Sequence, residues 1–138
     1  VGLWQADSHP GFAITGAHGT PVWFETNTWE ADQVETFYAD LFGLAHERME
    51  GMDYRMFSAK GEGIGGLMPL TEEMTKNGAQ PCWLGYVQVD DSDVAAKSVK
   101  AAGGSIHMDP WDIAEVGRIA LVADPQGDWA ELDGPGAL

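Results

Sequence analysis

Cysteine is almost missing from this chain: Cys82 is the only one in 138 residues. That excludes an internal disulfide and points to a reducing compartment, the cytoplasm. No base partner is in view for the thiol, so Cys82 reads as a packing residue of an apolar strand and not as a nucleophile. Basic residues are scarce as well, with 7 Lys and Arg against 22 Asp and Glu, a net charge of −15 and a pI near 4.2. A surface of that sign repels phosphate backbones and anionic lipids, which removes nucleic acid and membranes from the expected partners. It attracts small cations, and it also keeps a protein soluble. No apolar run approaches the roughly 20 residues that cross a bilayer, and no basic-then-apolar leader opens the sequence. The four histidines, His9, His18, His46 and His107, show no HxxH or HExxH spacing and read as surface or loop residues.

What remains fits one domain with a real core. Residues 1–17 carry no helical or alternating pattern and read as a leader or linker. Their opening Val1-Gly2-Leu3-Trp4-Gln5 resembles the later Ala130-Glu131-Leu132, which suggests the remnant of a preceding similar domain or a strand that pairs with a neighbouring subunit. The domain proper is expected over residues 18–138. Pro21 to Thr28 alternates as a strand, with Trp23 and Glu25 on one face and Val22 and Phe24 on the other. Thr28 is the expected cap of a helix whose inner face is Val34, Phe37, Tyr38, Leu41 and Phe42, stopped by Gly43. Strands follow at 45–50, 54–60 and 64–70, the last led in by a flexible Gly-rich turn, Gly61-Glu62-Gly63-Ile64-Gly65-Gly66, which no helix follows and which is therefore no phosphate loop. A polar joint, with a possible helical turn in TEEMTK, leads to a strand from Cys82 to Val89. Ser92 then caps a helix with Ala95, Val99 and Ala102 inward, ended by Gly103-Gly104, and strands follow at 105–109, 118–122 and 128–133. The order is βαβββ twice, over modules 18–70 and 82–134. The helices superpose at one offset of 61, Val34 on Ala95, Tyr38 on Val99 and Leu41 on Ala102. Such a repeat means that neither copy closes its own core.

The last two strands form the clearest local feature. Asp124-Pro125-Gln126-Gly127 puts Pro and Gly where a type I turn takes them, so Arg118 to Asp133 folds as a hairpin. Its second strand sets Trp129, Glu131 and Asp133 on one face at period two.

The paired βαβββ units, the TFYADLFGL segment, the AAGG helix end, VADPQGDWAEL and an HGTPVWFE start together resemble the vicinal oxygen chelate superfamily, which groups glyoxalase I, bleomycin- and fosfomycin-resistance proteins and extradiol dioxygenases. The resemblance covers about residues 18 to 134. It implies an α+β fold in which two βαβββ modules form one open cupped mixed sheet around a ligand cavity, completed by a homodimer or a tandem domain partner. It also implies, for the family's enzymes, a divalent metal held by four inward His, Gln or Glu side chains, from the first and last strands of each module. Counted back from the helices, the first-strand positions are Trp23 and Leu84. The last-strand position of the second module is Glu131, and its counterpart falls within 66–68. Glu131 is then the one ligand retained, so no metal or other cofactor is expected.

By strand parity the cavity is lined by Trp23, Glu25, Tyr86, Gln88, Trp129 and Glu131, with Trp111 at its mouth in a Pro110-Trp111-Asp112 loop. Aromatic walls and two carboxylates suit a flat, conjugated or cationic ligand. The expected function is metal-independent binding of an aromatic or cationic, antibiotic-like small molecule. The alternative is a divergent metal-dependent lyase, isomerase or dioxygenase, or a metal-free catalyst with Glu25 or Glu131 as general base. A plainer reading makes Trp23 and Trp129 core residues and pairs Glu131 with Arg55 or Arg118.

Overall fold

The doubled βαβββ pattern appears in the computed structural model, which describes residues 1–136. The chain is mixed α+β, with β1 (Pro21–Thr28), α1 (Ala31–Phe42), β2 (Ala45–Arg48), β3 (Arg55–Ala59), β4 (Glu62–Pro69), α2 (Glu72–Lys76), β5 (Cys82–Gln88), α3 (Ser92–Ala101), β6 (Ser105–Ile113), β7 (Gly117–Ala123) and β8 (Trp129–Gly134). It divides into two compact units, a first from Trp23 to Leu84 and a second made of residues 1–22 with the chain from Gly85 on.

In the first unit the strands run in the order β2-β3-β4-β1. β3 is antiparallel to β2 and β4, and β1 returns parallel to β4 with Glu25 opposite Gly66. Helix α1 covers one face, where Ala31, Phe57 and Leu67 are buried with Val34, Tyr38 and Leu44 packed against them. The helix is turned from the expected apolar stripe: Phe37 is 57% exposed and Leu41 52%, while Ala31, Glu35 and Ala39 face inward. Two causes act together. Alanines let the helix approach closely, and Arg55, buried on β3, draws Glu35 down into an ion pair of 3.3 Å. Asp32 and Asp53 hold the other guanidinium nitrogens at 2.7 and 3.0 Å, and His46 Nδ1 lies 2.8 Å from the second oxygen of Glu35. Thr28 does not cap α1. The capping position is Glu30, whose side chain makes no cap bond, and Thr28 Oγ1 only accepts from the Glu30 amide at 3.4 Å. Gly43 does end the helix, in the left-handed conformation that favours glycine. The Gly-rich stretch is not a flexible turn, because from Glu62 onward it is strand β4.

The second unit orders its strands β5-β8-β7-β6, with β8 parallel to β5 and the rest antiparallel. Helix α3 packs Ala95 and Val99 on Val89, Ala120, Val122 and Leu132. Its cap is Asp91, which accepts from Val94 N at 2.9 Å. Ser92, the expected cap, is instead the first helical residue, and its hydroxyl donates to the Arg118 carbonyl. The repeat offset holds: Ala31 and Glu35 of α1 correspond to Ser92 and Ala96 of α3, and all four are buried. The hairpin turn forms as read, with Gly127 N donating to Asp124 O at 3.0 Å and Asp124 Oδ1 accepting from Gln126 and Asp128 amides. Strand β6 runs past its expected end to Ile113, so Trp111 is a strand residue opposite Ile119 and not part of a loop. Pro110 falls at a register shift, where its missing N–H breaks no ladder bond. Residues 1–20 contain no strand, Val1 to Gln5 included. Gly19 and Thr20 nevertheless bond to the backbone of Gln88 at 2.8 and 2.9 Å, which ties the end of this segment to β5.

Two stability effects follow. Removing Glu35 takes the one buried partner from Arg55 and leaves it the exposed Asp32 and Asp53, so Glu35→Ala is expected to cost about 1–3 kcal/mol in urea unfolding, with a smaller loss for Asp53→Ala. On the acid side, the Asp128 and Gln126 amides hold the Asp124 carboxyl below its ordinary 3.8. The folded state then binds fewer protons than the unfolded chain, so this contribution is complete above about pH 4 and drains away as pH falls through the lowered value. The urea midpoint of Asp124→Ala should lie below wild type at pH 7 and approach it as pH falls through that lowered value.

Candidate functional site

In each unit the helix takes one face of the sheet and leaves the other to a different set of side chains. In the first unit the face away from α1 carries Trp23, Glu25, Met56 and the bare backbone of Gly66. Glu25 and Gly66 are register partners on parallel strands, so they point the same way. Met56 is opposite Gly66 on the other side. Glu25 is only 2% exposed, whereas Trp23 is half-buried and its indole N–H donates to Tyr54 Oη at 2.8 Å. Tyr54 reaches this face from just before β3: a Cβ placed on Gly66 would lie 1.7 Å from its hydroxyl oxygen. Glycine at 66 is therefore what admits the phenol.

In the second unit the face away from α3 carries Tyr86 opposite Glu131, with Trp129, Asp133, Leu121 and Trp111 at alternating positions on β8, β7 and β6. Tyr86 and Glu131 are buried, Glu131 to 6% exposure. Trp129 is 40% exposed and lies against the His107 ring, centroids 4.5 Å apart. It is not a core residue. Gln88 donates its amide to the Asp133 carbonyl at 2.9 Å, which commits it to bracing β5 on β8. Partial burial raises the Asp133 carboxyl above its ordinary range. Cys82 is exposed, and its thiol is pushed up by desolvation and then by the charge of Glu25, the reverse of what a nucleophile needs.

Glu131 pairs with Tyr86, which at the offset of 61 corresponds to Glu25, and Glu25 pairs with Gly66; the counted positions Trp23 and Leu84 lie two residues before Glu25 and Tyr86 on the same strands. Two carboxylates stand among the four register partners Glu25, Gly66, Tyr86 and Glu131. Glycine supplies no donor, no imidazole is included, and a neutral phenol is a poor ligand for a divalent ion. Among the described residues no group of three or more His, Cys, Asp or Glu side chains comes together. The four-ligand metal set of the resemblance does not fit this chain.

The arginines proposed as partners of Glu131 are engaged elsewhere. Arg55 pairs with Glu35, Asp32 and Asp53, and Arg118 with Asp93 and Asp112 at 2.7 and 3.1 Å. Tyr54 is the residue the sequence reading missed. Its signal was available as parity with Met56 two residues on, together with a glycine across the ladder.

Comparison with known proteins agrees with this geometry. Residues 21–132 match the family model of the Glyoxalase/Bleomycin resistance protein/Dioxygenase superfamily. The chain is 40% identical over 130 residues to "Putative glyoxylase CFP32" of Mycobacterium tuberculosis, covering 92% of this chain and 48% of that protein. It is 29% identical over 124 residues to "Anthracycline biosynthesis protein DnrV" of Streptomyces peucetius, covering 80% of this chain and 45% of that one. It thus spans about half the length of these curated relatives. Among solved structures, the methylmalonyl-CoA epimerase of Mycobacterium tuberculosis shares its fold, with a TM-score of 0.61 at 17% identity over 90% of this chain and 93% of that one. Motif order, doubled topology, register and family match converge, and the chain belongs to the glyoxalase/bleomycin resistance protein/dioxygenase superfamily.

Proposed function

We propose that this domain binds a flat aromatic cation without a metal. The observation that carries the reading is the pairing of Trp23 and Glu25, two residues apart on the uncovered face of the first unit, with Glu25 almost fully buried. A carboxylate beside an aromatic wall offers a flat cation both charge attraction and stacking or cation–π contact of roughly 0.5–2 kcal/mol. The second unit repeats the chemistry with Glu131, Trp129 and Trp111. A net charge of −15 adds long-range attraction for a cation. The name of the Streptomyces peucetius relative points the same way, since an anthracycline is a fused aromatic ring system carrying an amino sugar. A second copy of the chain or a tandem domain is the proposed partner, and the cytoplasm the proposed location. No helix among the described residues is long and apolar enough to cross a membrane.

A second reading has one observation in its favour: carboxylates buried like Glu25 and Glu131 also suit a general base. That would make the domain a metal-free catalyst, and turnover lost in Glu131→Gln with the fold intact would mark it.

The test of binding is a tryptophan-fluorescence titration with an aminoalkyl anthracene and its neutral hydroxyalkyl counterpart, each with and without EDTA. The ammonium compound should bind about tenfold tighter than the neutral one. EDTA should change neither value, and Glu25→Gln should remove the preference for charge. Equal affinity for both compounds, or loss of binding with EDTA, would refute the reading.

A further inference from the structure

Helix α1 carries more apolar surface than its packing uses. Phe37, Leu41 and Phe42 on the helix, and Trp83 of β5 beside them, all stand between 42% and 57% exposed. Tyr38 ties them into one cluster: its ring meets Phe37 and Trp83 edge-on, with centroids 5.1 and 5.2 Å away, and stacks on Phe42 at 6.1 Å. The Trp83 indole N–H donates to Tyr38 Oη at 3.0 Å, so the polar tip of the indole is satisfied within the cluster. The repeat supplies an internal control. At the offset of 61, α3 has Ser98, Ala102 and Gly103 where α1 has Phe37, Leu41 and Phe42, and α3 covers its own sheet without large apolar groups there. The fold of a module therefore does not require them. We propose that this face of α1, with Trp83, is a docking surface for a second copy of the chain, met about a two-fold axis. The inference is independent of the ligand reading, because these residues lie on the helix-covered side of the sheet; of the two partners named above it commits to the second copy.

Area, charge and symmetry argue for that occupant. The four exposed side chains present on the order of 400 Å² of apolar surface, the size of patch that marks an interaction site and about half of what each partner brings to a standard interface. A polar rim supplies the rest. Each copy carries a net charge of −15, so two copies approach each other most cheaply where charge is absent. Val34, Phe37, Tyr38, Leu41, Phe42 and Trp83 make such a surface, whereas a partner recognised by charge would be drawn to the carboxylates elsewhere. Phe37 and Leu41 are one helical turn apart. An antiparallel pair of α1 helices sets Phe37 of one copy against the partner's Leu41 and the reverse, the reciprocal contact that an isologous interface requires.

Sedimentation equilibrium of the full chain at two salt concentrations tests the proposal. Wild type should sediment at twice 14.9 kDa, and the dimer should tighten as salt rises from about 50 to 500 mM, because screening removes the self-repulsion and leaves the apolar contact. Phe37→Ser combined with Leu41→Ala, the residues α3 holds at these places, should weaken the dimer at least about tenfold, with the fold checked by circular dichroism. Trp83→Ala, a change on β5 at the same face, should weaken it as well. Val94→Ser, at an equally exposed apolar position of α3, should leave it unchanged. Three results would overturn the proposal: a monomer in wild type at about 100 μM, a dimer that salt dissociates, or a dimer that survives the changes at Phe37, Leu41 and Trp83. The first leaves the face to a different protein, and the other two put the contact between copies elsewhere. None of the three bears on the ligand titration above, and failure of that titration leaves this proposal standing.

Discussion

The parallel pairing of the first and last strands within each module is the constraint on which the rest depends. In the first unit it sets Glu25 opposite Gly66, and in the second Tyr86 opposite Glu131. Parallel partners in register present their side chains to the same side, so one slip of a residue would carry a buried carboxylate to the helix-covered face. The helices choose the face. Once α1 packs on Phe57 and Leu67, and α3 on Ala120, Val122 and Leu132, the chemistry-bearing residues are left on the opposite side.

Charge is sorted by face as well. The chain has three arginines, and their ion pairs run to Glu35, Asp32, Asp53, Asp93 and Asp112, all of them off the uncovered faces. Glu35 shows what a buried carboxylate looks like when it serves the fold, with a guanidinium and an imidazole against it. Glu25 and Glu131 are buried to a similar degree on faces lined by Trp, Tyr and Met. Their place on the faces turned away from the helices is the basis for reading them as ligand-facing residues.

Much of this was legible in the sequence, for a local reason. Strand parity, the offset of 61 and the Asp-Pro-Gln-Gly turn depend on near neighbours, and they placed Trp23 with Glu25 and Trp129 with Glu131 on common faces. Residues whose role is set across the ladder were misread. Phe37 and Leu41 looked like the inner face of α1 because hydrophobic spacing cannot register that Arg55, twenty residues after Glu35, pulls the helix round. The glycines of β4 looked like a turn, since nothing local says that Trp23 and Tyr54 occupy their missing side-chain volume. Trp111 was assigned to a loop because Pro110 interrupts the pattern, although a shift in register absorbs it.

The function proposed for this domain is that its face of aromatic and acidic groups binds a ligand without a metal. The most direct test is isothermal titration of chelator-stripped protein with nickel, zinc, manganese and ferrous ions, each under conditions that keep the ion in solution. The account predicts no stoichiometric binding of any of them, in wild type or in Glu131→Gln. One equivalent bound tightly by wild type and lost in Glu131→Gln would contradict it and return the domain to the metal-dependent members of its family.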